Sequence, residues 1–187
     1  MSKVTIAGDV NGTGVFTIAS PNSNTNRTIT LPDATGTLLS TATPGVPIGG
    51  PAFSAFKTSN QAVTANVSTK VIFEAESFDT NSNFASSTFT PTVAGYYQVN
   101  AFLECLGFAG SYLVCQIKKN GSGWAVGSNF PTSASAGPVT SASALVFLNG
   151  STDFVEVYAQ ASNNFTILSG SESNAPKFSG VLVRSAT

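Results

Sequence analysis

Apolar residues alternate with Ser, Thr, Asn and Gln in short runs along most of the chain, and Gly, Pro and Asn punctuate the runs. Alternation puts every second side chain on one side of an extended backbone, so each run reads as a half-buried β-strand. The pattern predicts strands near 52–57, 62–65, 70–78, 84–90, 95–106, 111–119, 123–128, 138–148, 152–160, 165–168 and 177–184. Asn120-Gly121 and Asn149-Gly150 supply the residues that tight hairpin turns favour. No stretch combines a helical period with caps, so helix is expected to be nearly absent.

The longest run, Tyr96 to Leu106, follows a corner made by Pro91 and Gly95. Tyr97, Val99, Ala101 and Leu103 fall on one side of it, and Tyr96, Phe102 and Leu106 on the other. A strand apolar on both sides is buried on both sides, which makes an oligomer the expected state. Tyr96, Tyr97 and Phe102 on this strand are candidate interface residues, and for each one the intrachain core is the alternative. Cys105 and Cys115 are the two cysteines, and GFAG at 107–110 between them reads as a hairpin turn. That pairing sets the sulfurs diagonally on one face, where neighbours lie ~7–8 Å apart. The gap is too wide for an unstrained bridge, so both are expected as buried free thiols.

The chain divides into three segments. Residues 1–42 hold three short alternating runs, in which Val4 and Ile6, Phe16 and Ile18, and Ile29 and Leu31 share faces. Those side chains are too few for an independent core, so the segment is expected to need a partner. Residues 43–51, TPGVPIGGP, contain three prolines and three glycines and read as an extended neck. Residues 52–187 carry the repeated short strands of a β-sandwich.

Charge changes this picture mainly by exclusion. Only 9% of residues are charged, against about 25% in ordinary soluble domains. Ser, Thr, Asn and Gly carry the polarity instead, a composition that favours strands and turns over helices. The net charge is −1, with 8 Lys and Arg spread along the chain. No basic stripe is available to neutralise phosphates, which argues against nucleic acid. No apolar run approaches the ~20 residues of a spanning helix, and MSKVTIAGDV lacks the apolar core of a secretory signal. No membrane is expected, and the chain is expected to be made and kept in a cytoplasm.

Catalytic chemistry finds little to work with. The chain has no histidine, the commonest general base and nitrogen ligand. Glu74 and Glu76, two apart on a predicted strand, share a face and could serve glycoside hydrolysis with an opposing partner, but a solvated edge is the plainer reading. No Gly-x-Ser-x-Gly elbow, phosphate loop or Cys-x-x-Cys pair occurs. No enzyme and no cofactor are expected. Asp79, Asn81 and Asn83 offer alternating oxygens to a calcium ion, but a calcium loop gathers more carboxylates and a turn rich in Asx residues accounts for them more simply, so no metal is expected. Trp124 and Phe130 lie in GSGWAVGSNFPTSASAG, where exposed aromatics suit a contact surface for sugars or protein, or a lid over one end of the sandwich.

Two resemblances add to these readings. Ile29-Thr-Leu-Pro-Asp-Ala-Thr-Gly-Thr-Leu-Leu-Ser40 resembles an element that closes a small N-terminal β-unit in bacteriophage tail-fibre and other virion proteins. It marks Ile29, Leu31, Leu38 and Leu39 as virion-anchor candidates. Further on, Phe53-Ser-Ala-Phe56, Val71-Ile-Phe73, Phe78-Asp79, Phe84 and Thr88-Phe89 are followed by Gly95-Tyr96-Tyr97 and Lys119-Asn120-Gly121. Ala144-Leu-Val-Phe-Leu148 and Phe178-Ser-Gly-Val-Leu182 complete the series. Their order resembles the globular head of the complement-first-component and tumour-necrosis-factor superfamily, departing at Asn149-Gly-Ser-Thr-Asp153, where that family has Gly-Asp. The resemblance implies a jelly-roll β-sandwich assembled as a compact homotrimer, and it adds Phe53, Phe56 and Phe178 to the interface candidates, since strands at their places in that family face either the sandwich core or the three-fold axis.

Together the two halves predict an all-β bacteriophage structural protein on the virion surface, assembled in the host cytoplasm. Its expected partners are its own copies and the major capsid protein or another virion protein. Capsid decoration is favoured because the chain shows an anchor and a head and no long shaft. A tail-fibre or receptor-binding tip is the alternative, and a soluble lectin-like trimer taking a host-surface glycan through Trp124 is the second.

Overall fold

The computed structural model describes residues 11–15, 17, 22–26, 28, 50–107, 111–129 and 137–186. Ile29, Leu31, Leu38, Leu39, most of the neck and Phe130 lie outside the described residues. Two compact units divide the chain, Met1–Leu38 and Leu39–Thr187. In the first, the Ser23 hydroxyl accepts the Thr25 amide at 3.1 Å, a local turn.

The second unit is all-β. Its strands are β1 (Ala52–Phe56), β2 (Gln61–Val63), β3 (Thr69–Lys70), β4 (Ala75–Asp79), β5 (Phe84–Ala85), β6 (Thr88–Phe89) and β7 (Gly95–Leu106). After them come β8 (Leu113–Lys119), β9 (Ser122–Asn129), β10 (Val139–Leu148), β11 (Val155–Ala161), β12 (Phe165–Ile167) and β13 (Lys177–Ser185). Two antiparallel sheets result. The first runs β2-β12-β7-β13-β1-β4, with β10 on the other side of β7. The second runs β5-β6-β11-β8-β9, with β3 also on β11.

Two predicted strands are divided, each for a local reason. The 70–78 run changes sheets. β3 belongs to the second sheet and β4 to the first, and between them Val71 and Phe73 bury their side chains in the core. The crossing backbone stays satisfied, because the Val71 amide donates to the Val157 carbonyl and the Phe73 amide to the Ser87 hydroxyl. The 84–90 run folds back on itself at Ser86 and Ser87, whose φ angles of 50° and 59° make a two-residue primed turn. Asn120 and Gly121 form the same kind of turn, as their sequence predicts.

The expected β7–β8 hairpin does not form. β7 already has β13 along one edge and β10 along the other, so the chain crosses to the second sheet and β8 pairs with β11 and β9. Cys105 and Cys115 consequently enter the core from opposite sheets, and both are buried and free.

The core is aromatic. Phe53 stacks on Phe84 and Phe89 at ring separations of 4.9 and 4.3 Å and meets Phe178 edge-on at 4.9 Å. Tyr97 packs edge-on to Phe89, and its hydroxyl donates to the Val93 carbonyl at 2.7 Å. Phe53, Tyr97 and Phe178 are thus buried inside one chain, and their place among the interface candidates is corrected. Each pairs in register with an inward-facing residue, as Phe178 does with Ala101, so none can reach a neighbouring copy.

Burial pushes the thiols of Cys105 and Cys115 and the phenol of Tyr97 up to about 12. Between their ordinary values near 9 and 10 and that figure, the folded state holds protons that the unfolded chain releases. Their contribution is complete below about pH 9 and is lost as pH rises toward about 12, by up to ~1.4 kcal/mol per pH unit for each group. Lys57 works in the opposite sense, since burial lowers its pKa and deprotonation relieves the desolvation. Urea-unfolding midpoints are therefore expected to fall steadily above about pH 9, and a midpoint level to pH 12 would contradict the burial of these groups.

Candidate assembly surface

Register along β7 fixes a second, outward face of the first sheet. Tyr96, Gln98, Asn100 and Phe102 point away from the core, and each stands opposite a residue of β13 on one side and of β10 on the other. The rows read Arg184–Tyr96–Phe147, Val181–Gln98–Leu145, Ser179–Asn100–Ser143 and Lys177–Phe102–Ser141. β1 continues three of them, with Ala52 beside Val181, Ser54 beside Ser179 and Phe56 beside Lys177.

One end of this face is apolar. Tyr96 is 44% exposed and Phe147 38%, and their rings lie 5.4 Å apart. Leu145, Val181 and Val183 are also exposed, each by about half. An open groove of about 470 Å³ runs between Tyr96, Leu145, Phe147, Val183 and Arg184. Phe78 adds another exposed ring on β4. Across the middle the face turns polar, where Gln98 Nε2 donates to Ser143 Oγ at 2.9 Å and Ser143 Oγ to Asn100 Oδ1 at 2.8 Å. At the far end Phe56 and Phe102 are half-buried on either side of Lys177.

Of the six interface candidates, Phe56, Tyr96 and Phe102 lie on this face. Phe147, Leu145, Val181 and Val183 join them without having been singled out in the sequence. The signal was present in 138–148, where Leu145 and Phe147 alternate with Val146 and Leu148, so that strand too is apolar on both sides.

The edge of the face is closed by side chains from the other sheet. Trp124 on β9 donates its indole N–H to the Leu145 carbonyl at 3.2 Å. Lys119 donates to the Phe147 carbonyl at 2.7 Å, pairs with Asp153 at 2.9 Å, and lies within 6 Å of the Trp124 and Phe147 rings. Gly127 brings β9 against β10 so closely that a Cβ there would collide with the Ser141 carbonyl. Trp124 therefore lies on the strand expected over 123–128, with about half of the residue exposed.

The remaining polar candidates resolve into structural roles. Glu74 precedes β4 and accepts Lys57 Nζ at 3.3 Å and the Thr58 amide at 2.9 Å, while Glu76 is exposed, so the two do not form a carboxylate pair. Lys57 is wholly buried and gives its other donors to Gln61 Oε1 and the Ile72 carbonyl. Asp79 spends both oxygens on the Asn81 and Phe84 amides, and buried Asn83 bonds the Asn81 carbonyl and Thr92, which is an Asx-stabilised turn. Among the described residues no group of three or more His, Cys, Asp or Glu gathers as metal ligands do, and no helix is long and apolar enough to cross a membrane.

Two sheets, a Greek-key strand order and an aromatic core between them match solved proteins. The fold is that of the complement and tumour-necrosis-factor jelly rolls. The globular domain of zebrafish complement 1qA protein is 21% identical with a TM-score of 0.54, the match covering 73% of this chain and 99% of that one. Eiger TNF from S. frugiperda is 12% identical with a TM-score of 0.56, over 78% and 96% of the two chains. Murine APRIL at pH 5.0 is 8% identical with a TM-score of 0.55, over 72% and 99%. No protein-family model matches the chain, and no curated protein matches it in sequence. At these identities the jelly roll is shared as a fold, in agreement with what the residues 53–184 imply.

Proposed function

We propose that this chain is a non-enzymatic structural protein of a bacteriophage particle, a jelly-roll head that assembles with two further copies of itself and is held on the particle by residues 1–42. The observation that carries the self-association is the outward face of β10, β7 and β13, where Tyr96, Phe147, Leu145, Val181 and Val183 stay exposed in the single chain. Apolar side chains contiguous over three strands gain by leaving water together, and patches of this kind mark interaction surfaces. On the other sheet the outward charges are bonded within the chain, with Lys70 on Glu156 at 2.6 Å and Lys118 over the Tyr158 ring at 3.8 Å, and the exposed apolar side chains of its β8–β9 edge are Trp124 and Val126.

A trimeric head has the symmetry of the three-fold and quasi-three-fold positions of a capsid lattice. On that ground the head decorates the capsid, docked on the major capsid protein at the virion surface after assembly in the host cytoplasm. The tail-fibre tip is the second reading, favoured by the Leu31-to-Leu39 stretch. Glycan binding by Trp124 draws on its half-exposed ring alone, since its indole N–H is already committed.

Cryo-electron microscopy of particles carrying the protein tests the placement. Head density at three-fold or quasi-three-fold capsid positions is the expected result, and density confined to the tail would overturn the capsid assignment. Deleting residues 1–42 is expected to leave an assembled head that no longer joins particles. A truncated head that still decorates them would remove the anchor role from that segment.

A further inference from the structure

Charged side chains are treated differently on the two sheets. Lys70, Lys118 and Lys119, on the strands of the second sheet, each have an anionic or aromatic partner within the chain. On the outward face of the first sheet, Lys177 and Glu104 have no ion-pair partner among the described residues. Lys177 lies on β13 directly opposite Phe102 of β7 and Phe56 of β1. Glu104 is two residues further along β7, opposite Val139 of β10. Both are half-buried in the single chain, so any partner covering this end of the face takes both charges out of water, at a cost unless each meets its opposite.

We infer that the partner covering this end of the face is another copy of the same chain, and that Lys177 of one copy pairs with Glu104 of the next. The inference rests on the self-association proposed above and adds the contact that orders the copies. Charge complementarity selects the occupant. Of the charges on this face, Arg184 at the apolar end and Glu76 on β4 are exposed, while one cation and one anion, Lys177 and Glu104, are half-buried at nearly the same level along the strands, and a ring of copies brings residues of equal level together. Each copy then supplies half of every pair, and neither charge is left over. A foreign partner of a single sign would satisfy one residue and strand the other. The pair also gives the contact a direction, Lys177 on one side and Glu104 on the other, as a closed ring of head-to-tail contacts requires. Phe56 and Phe102 flank the lysine stem and keep water from the ammonium once the copies meet.

The test is charge reversal in the full chain, read by sedimentation. Lys177→Glu and Glu104→Lys, made separately, are each expected to weaken association ~10-fold or more, because like charges then face one another. The double variant Lys177→Glu with Glu104→Lys is expected to recover association to within about threefold of the wild type, as a coupled pair does. Thermal midpoints of the dissociated chains serve as the fold control, since both side chains lie at the surface. If the wild type associates and the single reversals associate as tightly, or if the double variant fails to recover, the pairing is overturned while self-association stands. A wild type that remains a single chain at every concentration would overturn both and assign the face to a different protein.

Discussion

Replacing Phe53 by alanine is expected to lower the stability of the jelly roll by ~3–5 kcal/mol, the cost of emptying a large aromatic site in a packed core. The ring has 1% of its surface exposed and touches Phe84, Phe89 and Phe178, so collapse of the site would have to move several other rings. The loss should be the same at low and high protein concentration, because the ring belongs to one chain. Denaturant unfolding at several concentrations checks this. A Phe53→Ala variant that keeps its unfolding midpoint but changes its state of association would return the residue to the interface.

Tyr96→Asp is expected to do the reverse. Tyr96 is the next-door neighbour of buried Tyr97 but points outward, against Phe147 at the rim of the apolar groove. A carboxylate there would be buried without a partner when copies meet, which should weaken association roughly 100-fold or more, as at interface hot spots. The isolated head should keep its thermal stability, since the side chain is 44% exposed before assembly. Asn100→Asp, in the polar middle of the same face, is a milder control. Loss of folding in Tyr96→Asp, with no change of association in whatever remains folded, would contradict the outward placement.

The contrast between Phe53 and Tyr96 also marks what could be read from the sequence. Period-two alternation carries the parity of each strand, so the elements and most of their bounds were legible, including the inward set Val99, Ala101, Leu103 and Cys105. Parity does not say which side faces the core. Phe53 and Phe56 have opposite parity, as do Tyr96 and Tyr97, and a list containing all four necessarily mixed core with surface. The same parity placed Lys57 inward after Phe53 and Ala55, a signal present in the chain but masked by the usual exposure of lysine. Strand partners were less legible still. A six-residue connection after Leu106 is equally able to close a hairpin or to cross between sheets, and what decides is the occupation of β7 by β13, more than seventy residues away in sequence.

The division of 70–78 and the turn at Ser86-Ser87 failed to show for a related reason. Serine is an uncommon choice for left-handed turn positions, so nothing local announced the fold-back. The assembly surface was half legible. The doubly apolar pattern of 95–106 pointed to it, while the equivalent pattern in 138–148 and the outward residues of β13 needed the register of three strands to come together.

The account turns on whether these heads assemble through the face of Tyr96 and Phe147. Sedimentation equilibrium of the full chain, wild type beside Tyr96→Asp, measures this most directly. The expected result is a wild type of three times the chain mass and a Tyr96→Asp variant of one. A wild type that sediments as a single chain throughout the concentration range, or a variant that remains trimeric, would contradict it.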